Sequence, residues 1–474
     1  MSLTDLTLAE AAEGITNGRF SASELTEATL ARIEEINPKL NAYIHVESEI
    51  ARTEAALVDA NRGKGETLGP LAGVPLAHKD MYYRKGSLAT CGSKIRRNFR
   101  PNVTATVLSR LGSSGATYIG GLNMAEFAFG PTGHNEHFGA CRNPWDISRI
   151  TGGSSSGSGS AVGGRLCFGA LGSDTGGSVR LPAGFCGLVG IKPTQTRVSR
   201  YGVMGLSFSL DNVGPLTRTV LDNAIMLSAI AGFDPEDPTS SQFPVDDYVK
   251  AAKNPMANNI KIGIARGYFE NGADETALAA RDKALTALIS AGAKLVEVDV
   301  GDLDRINALA GAVMAPEAAT LHAHWLLEQR EDFGAQMRAR CEGGFRISGV
   351  DYLSSQQLRP KIVANFVERV FSACDVLVAP TFNIETPTIL ETDMGASQGF
   401  EAAISRISKC TRPFNYLTLP CLALPTPESV VGMPGSIQLI GPPFSEASLY
   451  RVGAAYESET GFPSKAPIIY SEQL

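Results

Sequence analysis

The chain has 474 residues, enough for one large α/β unit or for two or three smaller ones. A hydrophobic fraction of 43% and a charged fraction of 19% belong to a globular protein and exclude a disordered or low-complexity chain. The formal net charge of −7 argues against a nucleic-acid surface, because phosphate binding needs clustered Lys and Arg.

In chain order, the opening Met1-Ser2-Leu3-Thr4-Asp5-Leu6 lacks a basic and then apolar leader, so a cytoplasmic protein is expected. Residues 1–65 read as helical. Ser21-Ala22-Ser23-Glu24 resembles a capping box, Leu25, Ala28, Ile33 and Ile36 share a face, and Pro38 is predicted to end that run. Residues 66–230 change character, with short apolar strands between glycine-rich turns such as 112–121 and 152–164, the kind of loop on which catalytic groups sit. Within that region, Thr219 to Ala231 is predicted to be a helix stopping at Gly232. A β-α-β reading follows, with a strand over Ile260 to Ala265, a helix over Glu275 to Ser290 and a strand over Lys294 to Val300. The rest of 231–370 is mostly helical, and 371–474 opens on the buried strand Val376 to Pro380. With no internal repeat and no flexible linker, a single domain over 1–474 is expected. No uncharged apolar stretch is long enough to span a bilayer. The eight cysteines, with no Cys-x-x-Cys pair, read as small buried hydrophobes and not as a disulfide or zinc framework.

The chemistry-bearing segments are few. Gly152-Gly153-Ser154-Ser155-Ser156-Gly157 and Asp174-Thr175-Gly176-Gly177-Ser178-Val179-Arg180 set two serines in glycine-rich backbone, and Lys79 ends the apolar run Gly73 to Ala77 followed by His78. A serine hydroxyl attacks a carbonyl when something takes its proton, and glycine-packed backbone aims N–H groups at one developing anion. Taken alone, 152–159 is a plain loop or a functional one. A phosphate-binding P-loop fails for lack of the Gly-Lys-Ser/Thr ending. Ser155 also fits the Gly-x-Ser-x-Gly nucleophile elbow, but His322 and His324, which that reading would need, look like surface or half-buried positions of an amphipathic helix.

Together these segments resemble the amidase signature family over roughly residues 65–445. The matching pieces include Gly73 to Asp80, Asn123-Met124-Ala125-Glu126-Phe127, Asn143-Pro144-Trp145-Asp146, Gly152 to Gly157, Leu171 to Arg180, Gly190-Ile191-Lys192-Pro193-Thr194, Gly214-Pro215-Leu216-Thr217-Arg218 and Gln438-Leu439-Ile440-Gly441. The resemblance implies an α/β fold with a central mixed, twisted sheet covered on both faces by helices. It also implies a serine, cis-serine, lysine triad on Ser178, Ser154 and Lys79, a cis bond before Ser154, and a homodimer. Lys79 must then be desolvated to act as a base, a condition the apolar run before it can meet. The amides of Thr175, Gly176, Gly177 and Ser178 form the expected oxyanion cradle, with Asp174 and Arg180 as structural orienters and Ser155 bonded within its loop. One departure is Ser156, where the family commonly has glycine. His78 is expected to face away from Lys79 and to pack or bond locally.

Candidate substrate contacts are Met124, Phe127, Phe129, His134 and His137 together with 305–352; the apolar ones either favour an apolar acyl group or belong to the core. No metal or cofactor is implied. Three functions follow from the resemblance: a stand-alone hydrolase of a small carboxamide, anilide, carbamate or hydrazide; the A subunit of an aminoacyl-tRNA amidotransferase releasing ammonia from glutamine; and a silent scaffold. The A subunit usually carries a Tyr-Tyr-Asp-Ala-Tyr-Tyr-like stretch where this chain has Ser348-Gly349-Val350-Asp351-Tyr352-Leu353, which favours the first.

Overall fold

Short apolar strands dominate the middle of the chain, and in the computed structural model, which describes residues 2–256, 258–394, 400–464 and 467, they join one mixed sheet. The strands are β1 (Tyr43–Val46), β2 (Pro75–Lys79), β3 (Thr117–Leu122), β4 (Gly169–Asp174), β5 (Val189–Lys192), β6 (Asn212–Thr217), β7 (Lys261–Ile264), β8 (Lys294–Glu297), β9 (Val376–Pro380), β10 (Cys421–Val430) and β11 (Met433–Ile440). Their order is β1-β3-β2-β4-β6-β5-β10-β11-β9-β7-β8. β2 runs parallel to both β3 and β4, and β7 parallel to both β8 and β9; the remaining pairs are antiparallel.

Helices cover both faces, which is why every residue of β2, β4 and β11 is buried and why these strands are apolar or small apart from His78, Lys79, Asp174 and Gln438. Alternation is still visible in the packing. Leu76 and Leu171 belong to one core cluster while their neighbours Ala77 and Ala170 belong to another. In β2 this alternation separates His78 from Lys79. The His78 ring stacks on Tyr118 at 4.7 Å, and its Nδ1 lies 3.1 Å from the Lys79 carbonyl.

The N-terminal segment departs from the expectation of an all-helical 1–65, because β1 interrupts it and pairs with β3. Pro38 does not end its helix either: the helix Ala22–Leu40 starts on the Ser21 capping box, includes Pro38, and stops at Asn41 in the left-handed conformation. Proline costs the bond to the carbonyl four residues back, but Glu34 and Pro38 are both exposed, so water can satisfy that carbonyl. Asn37 then closes the turn by accepting from Ala42 and Tyr43 amides at 2.9 and 3.0 Å. The helix Glu275–Ser290 and strand β9 fall where the pattern put them, whereas β8 ends at Glu297, three residues early. All eight cysteines are buried. No helix among the described residues is long and apolar enough to cross a membrane.

Candidate active site

Three elements converge at the C-terminal ends of β2 and β4. β2 delivers Lys79, β4 delivers Ser173 and Asp174, and the segment leading into the helix Ser156–Gly163 delivers Ser154. The Gly153–Ser154 peptide bond is cis. Lys79 has no solvent exposure, and its Nζ lies 2.6 Å from Ser154 Oγ and 2.8 Å from Ser173 Oγ. Burial pulls the Lys79 amine down to about 7, against an opposing pull from the charges of Asp211 and Asp174. A neutral amine so placed can donate to Ser173 and keep its lone pair for the Ser154 proton.

Ser173 is not singled out by the sequence pattern, although it stands inside the run Gly172-Ser173-Asp174. Its place at the C-terminal end of β4, beside the end of β2, is the signal that finds it. In the parallel β2/β4 pair, His78 lies opposite Leu171, which brings the following residues of both strands to the same end of the sheet.

Ser178 lies past Asp174 in the glycine-rich turn. It is half-buried and lines a narrow cleft with Phe129, Thr175, Leu181, Met314 and Arg412. Among the described residues its hydroxyl has no hydrogen-bond partner, so Lys79–Ser154 is the leg of the expected relay that is in place. A wider pocket of about 220 Å³ opens beside Ser173, walled by Met204, Phe208 and Asp211; Ser178 is not part of its wall.

The turn is held from inside. Asp174 Oδ1 accepts the Gly177 amide at 2.8 Å, and Oδ2 accepts the Val179 amide at 3.2 Å. Arg180 donates to both Asp174 oxygens at 3.0 Å and also to Gln438 and Asn415. With that charge alongside, Asp174 is lowered to about 2 despite its burial. The Gly177 N–H expected in the oxyanion cradle is therefore turned inward to Asp174. The amides of Thr175, Gly176 and Ser178 have no such partner among the described residues. Gly177 adopts a φ of +131°, and a β-carbon there would stand 2.3 Å from Thr411 Oγ1, so glycine is required for the turn itself. Ser155 accepts the Ser173 amide at 3.2 Å, tying its loop to β4 instead of bonding within the loop. Ser156 Oγ reaches the Asn123 carbonyl at 3.3 Å, so the departure from glycine adds a tether behind the loop.

The candidate substrate contacts divide. Phe129 lines the cleft beside Ser178. Met124 is wholly buried, and Phe127 packs against Trp325 at 5.3 Å and His322 at 4.4 Å, so both belong to the core. His134 bonds to Thr392 at 2.9 Å and His137 to Glu126 at 3.0 Å; neither lines the cleft. His322, expected at the surface or half-buried, is fully buried among Phe127, Trp325 and Phe333, because its helix is clamped between the core and the segment around Phe333. His324 is exposed and pairs with Glu328 at 3.1 Å.

A buried lysine bonded to the Ser154 hydroxyl, beside a glycine-rich turn bearing Ser178, is the arrangement the amidase signature implies. The chain belongs to the Amidase family, whose model matches residues 24–450. Its curated relatives include the A subunit of the glutamyl-tRNA(Gln) amidotransferase of Moorella thermoacetica, 38% identical with 98% of this chain and 99% of the relative covered. Among solved structures it resembles a chain of the vestigial protein complex described for the origins of an s-triazine catabolic enzyme, at 34% identity and TM-score 0.89 over 96% of this chain and 98% of that one. It also resembles the peptide amidase of Stenotrophomonas maltophilia, at 27% identity and TM-score 0.83 over 97% of this chain and 98% of that one. The protein is an enzyme of the amidase class, acting on amide C–N bonds, and the silent-scaffold reading is set aside.

Proposed function

We propose that the protein cleaves its amide through a covalent acyl-enzyme on Ser178. The observation that carries this reading is the 2.6 Å contact between the buried Lys79 amine and the Ser154 hydroxyl. Neutral Lys79 takes the Ser154 proton as Ser154 takes that of Ser178, and the Ser178 oxygen bonds to the carbonyl carbon. The unpartnered amides of Thr175, Gly176 and Ser178 supply donors for the tetrahedral oxyanion, each worth about 3 kcal/mol when aimed at that charge. As the intermediate collapses, the C–N bond breaks and the leaving nitrogen takes the proton held by Lys79, returned through Ser154. A water then attacks the ester, giving its proton along the same path, and releases the carboxylic acid. Asp174 and Arg180 act by holding the turn.

The test is Ser178→Ala, which abolishes both amide turnover and labelling by phenylmethanesulfonyl fluoride while the circular dichroism spectrum stays unchanged. Labelling of another serine in the wild-type protein would end the proposal.

The acceptor and partner separate two readings. A stand-alone amidase passes the acyl group to water and acts on a small amide; the A subunit of an amidotransferase takes ammonia from glutamine for a partner. The names of the curated relatives favour the second, and the sequence of 348–353 favours the first. Glutamine turnover confined to mixtures with a partner protein would establish the second, and light scattering would separate a homodimer from a mixed complex.

A further inference from the structure

The cleft beside Ser178 carries two arginines, Arg340 and Arg412, and no acidic residue among its described walls. Arg412 is the more telling. Its stem crosses directly over the glycine turn: a β-carbon placed on Gly176 would stand 3.7 to 3.8 Å from Arg412 Cβ, Cγ and Cδ. The preceding residue, Thr411, donates to the Gly176 carbonyl at 2.7 Å, so the two segments are tied together. Among the described residues the Arg412 guanidinium makes no hydrogen bond and no ion pair, and its Nε is buried without a partner. Nearby Tyr268 is an un-ionised phenol donating to the Lys409 carbonyl at 2.9 Å.

The other arginines buried around the site are compensated. Arg180 has Asp174, Gln438 and Asn415, and Arg359 donates to the carbonyls of Tyr416, Ser209 and Asn415 and to Gln195. Arg412 is half-buried, so its charged end borders the cleft while its Nε is shielded from water and unbonded, and arginine keeps its proton there. An acidic group on a ligand is the complement this position lacks. Across the cleft, Arg340 lies over the Phe129 ring at 4.2 Å. The rest of the described wall, Leu181, Leu206 and Met314 among it, is apolar apart from the hydroxyls of Thr175, Ser178 and Ser408.

We infer that the amide cleaved at Ser178 carries a carboxylate on its acyl part, seated on Arg412, and carries no cationic group. Glutamine brings a carboxylate but also an ammonium, for which the described walls of the cleft offer no acid. The inference therefore points to a small monoamide of a dicarboxylic acid or a similarly carboxylated amide. It rests on the reading of Ser178 as nucleophile.

The experiment follows the rate at which phenylmethanesulfonyl fluoride labels Ser178 in the full-length protein, with malonate, succinate or glutarate, their neutral diamides, or glutamine added. A dicarboxylate slows labelling at least about tenfold at saturation, the diamides and glutamine do not, and Arg412→Met removes the protection by weakening dicarboxylate binding about 10- to 100-fold. Arg412→Lys restores part of it. In turnover, Arg412→Met raises KM for malonamate or succinamate far more than it lowers kcat. Protection by diamides or glutamine equal to that by every dicarboxylate, or protection untouched in Arg412→Met, overturns the inference and leaves the nucleophile in place. The wild-type comparison decides the matter even if the variant does not fold. Absence of Ser178 labelling in the wild-type protein would instead bring down the nucleophile reading.

Discussion

Lys79 ends β2 and Lys192 ends β5, and neither side chain has any exposure to solvent. Burial lowers both amines, Lys79 to about 7 and Lys192 to about 8. Their neighbourhoods differ in what they can exchange. Lys79 Nζ touches two hydroxyls, Ser154 and Ser173, whereas Lys192 Nζ donates to the Pro193 carbonyl at 2.9 Å, an acceptor with no proton to give. Desolvation thus lowers the amine in both places, further at Lys79, and the hydroxyl beside Lys79 makes that one the candidate base.

The contrast breaks most visibly at Lys79. Lys79→Met should lower turnover and Ser178 labelling by at least about 10³-fold, since residues that act as a unit fail together. It should also stabilise the fold. The folded amine titrates near 7 and the unfolded one near 10.5, so the unfolded chain binds more protons between those values. The penalty of keeping Lys79 uncharged is absent above about 10.5, grows as pH falls, and is complete below about 7. Denaturant melts at pH 7 should show Lys79→Met more stable by about 1–3 kcal/mol, an advantage that fades as pH approaches 10.5. Unchanged turnover in this variant would remove Lys79 from the mechanism.

Ser154→Ala keeps the lysine and removes its route to Ser178, with an expected loss of about 10²- to 10⁴-fold. Ser173→Ala is milder, roughly tenfold, and has its own signature. In the wild-type protein kcat/KM should rise tenfold per pH unit up to about 7 and then level, as Lys79 loses its proton. The Ser173 hydroxyl accepts a bond that matters more to the protonated amine than to the neutral one. Its removal should therefore move that limb to lower pH. A loss of rate with the limb unmoved would make Ser173 a packing residue.

These residues also show what the sequence makes legible. The strands around Lys79, Asp174 and Val376 are readable because a sheet buried on both faces demands unbroken apolar or small residues, and the glycines of 152–177 mark turns that larger side chains cannot make. Pro38 misleads because local propensity forbids what an exposed last turn tolerates. His322 misleads because helical spacing identifies a face without saying what packs against it. Of the cleft residues, Phe129 stands in a suspected segment, and Arg340 falls within the broad helical range 305–352. Arg412 has no local signal at all: it reaches Gly176 from more than two hundred residues away, and tertiary packing alone joins them.

Lys192 supplies the smallest expected effect and the closest control on the opening contrast. Lys192→Met removes a buried amine of the same length from the same sheet, leaving Lys79, Ser154 and Ser178 untouched. Asp174 should stay ionised, because Arg180 is the chief cause of its low value and Lys192 a minor one. Turnover and Ser178 labelling should then remain within about threefold of wild type, and the acidic limb near 7 should not move. Stability at neutral pH should rise by about 1 kcal/mol or less, since the lost Pro193 bond offsets most of the relief from removing a buried amine. A large loss of turnover with an intact fold would mean that the sheet holds a second lysine on the proton path, and burial alone would then be the better guide to which lysine reacts.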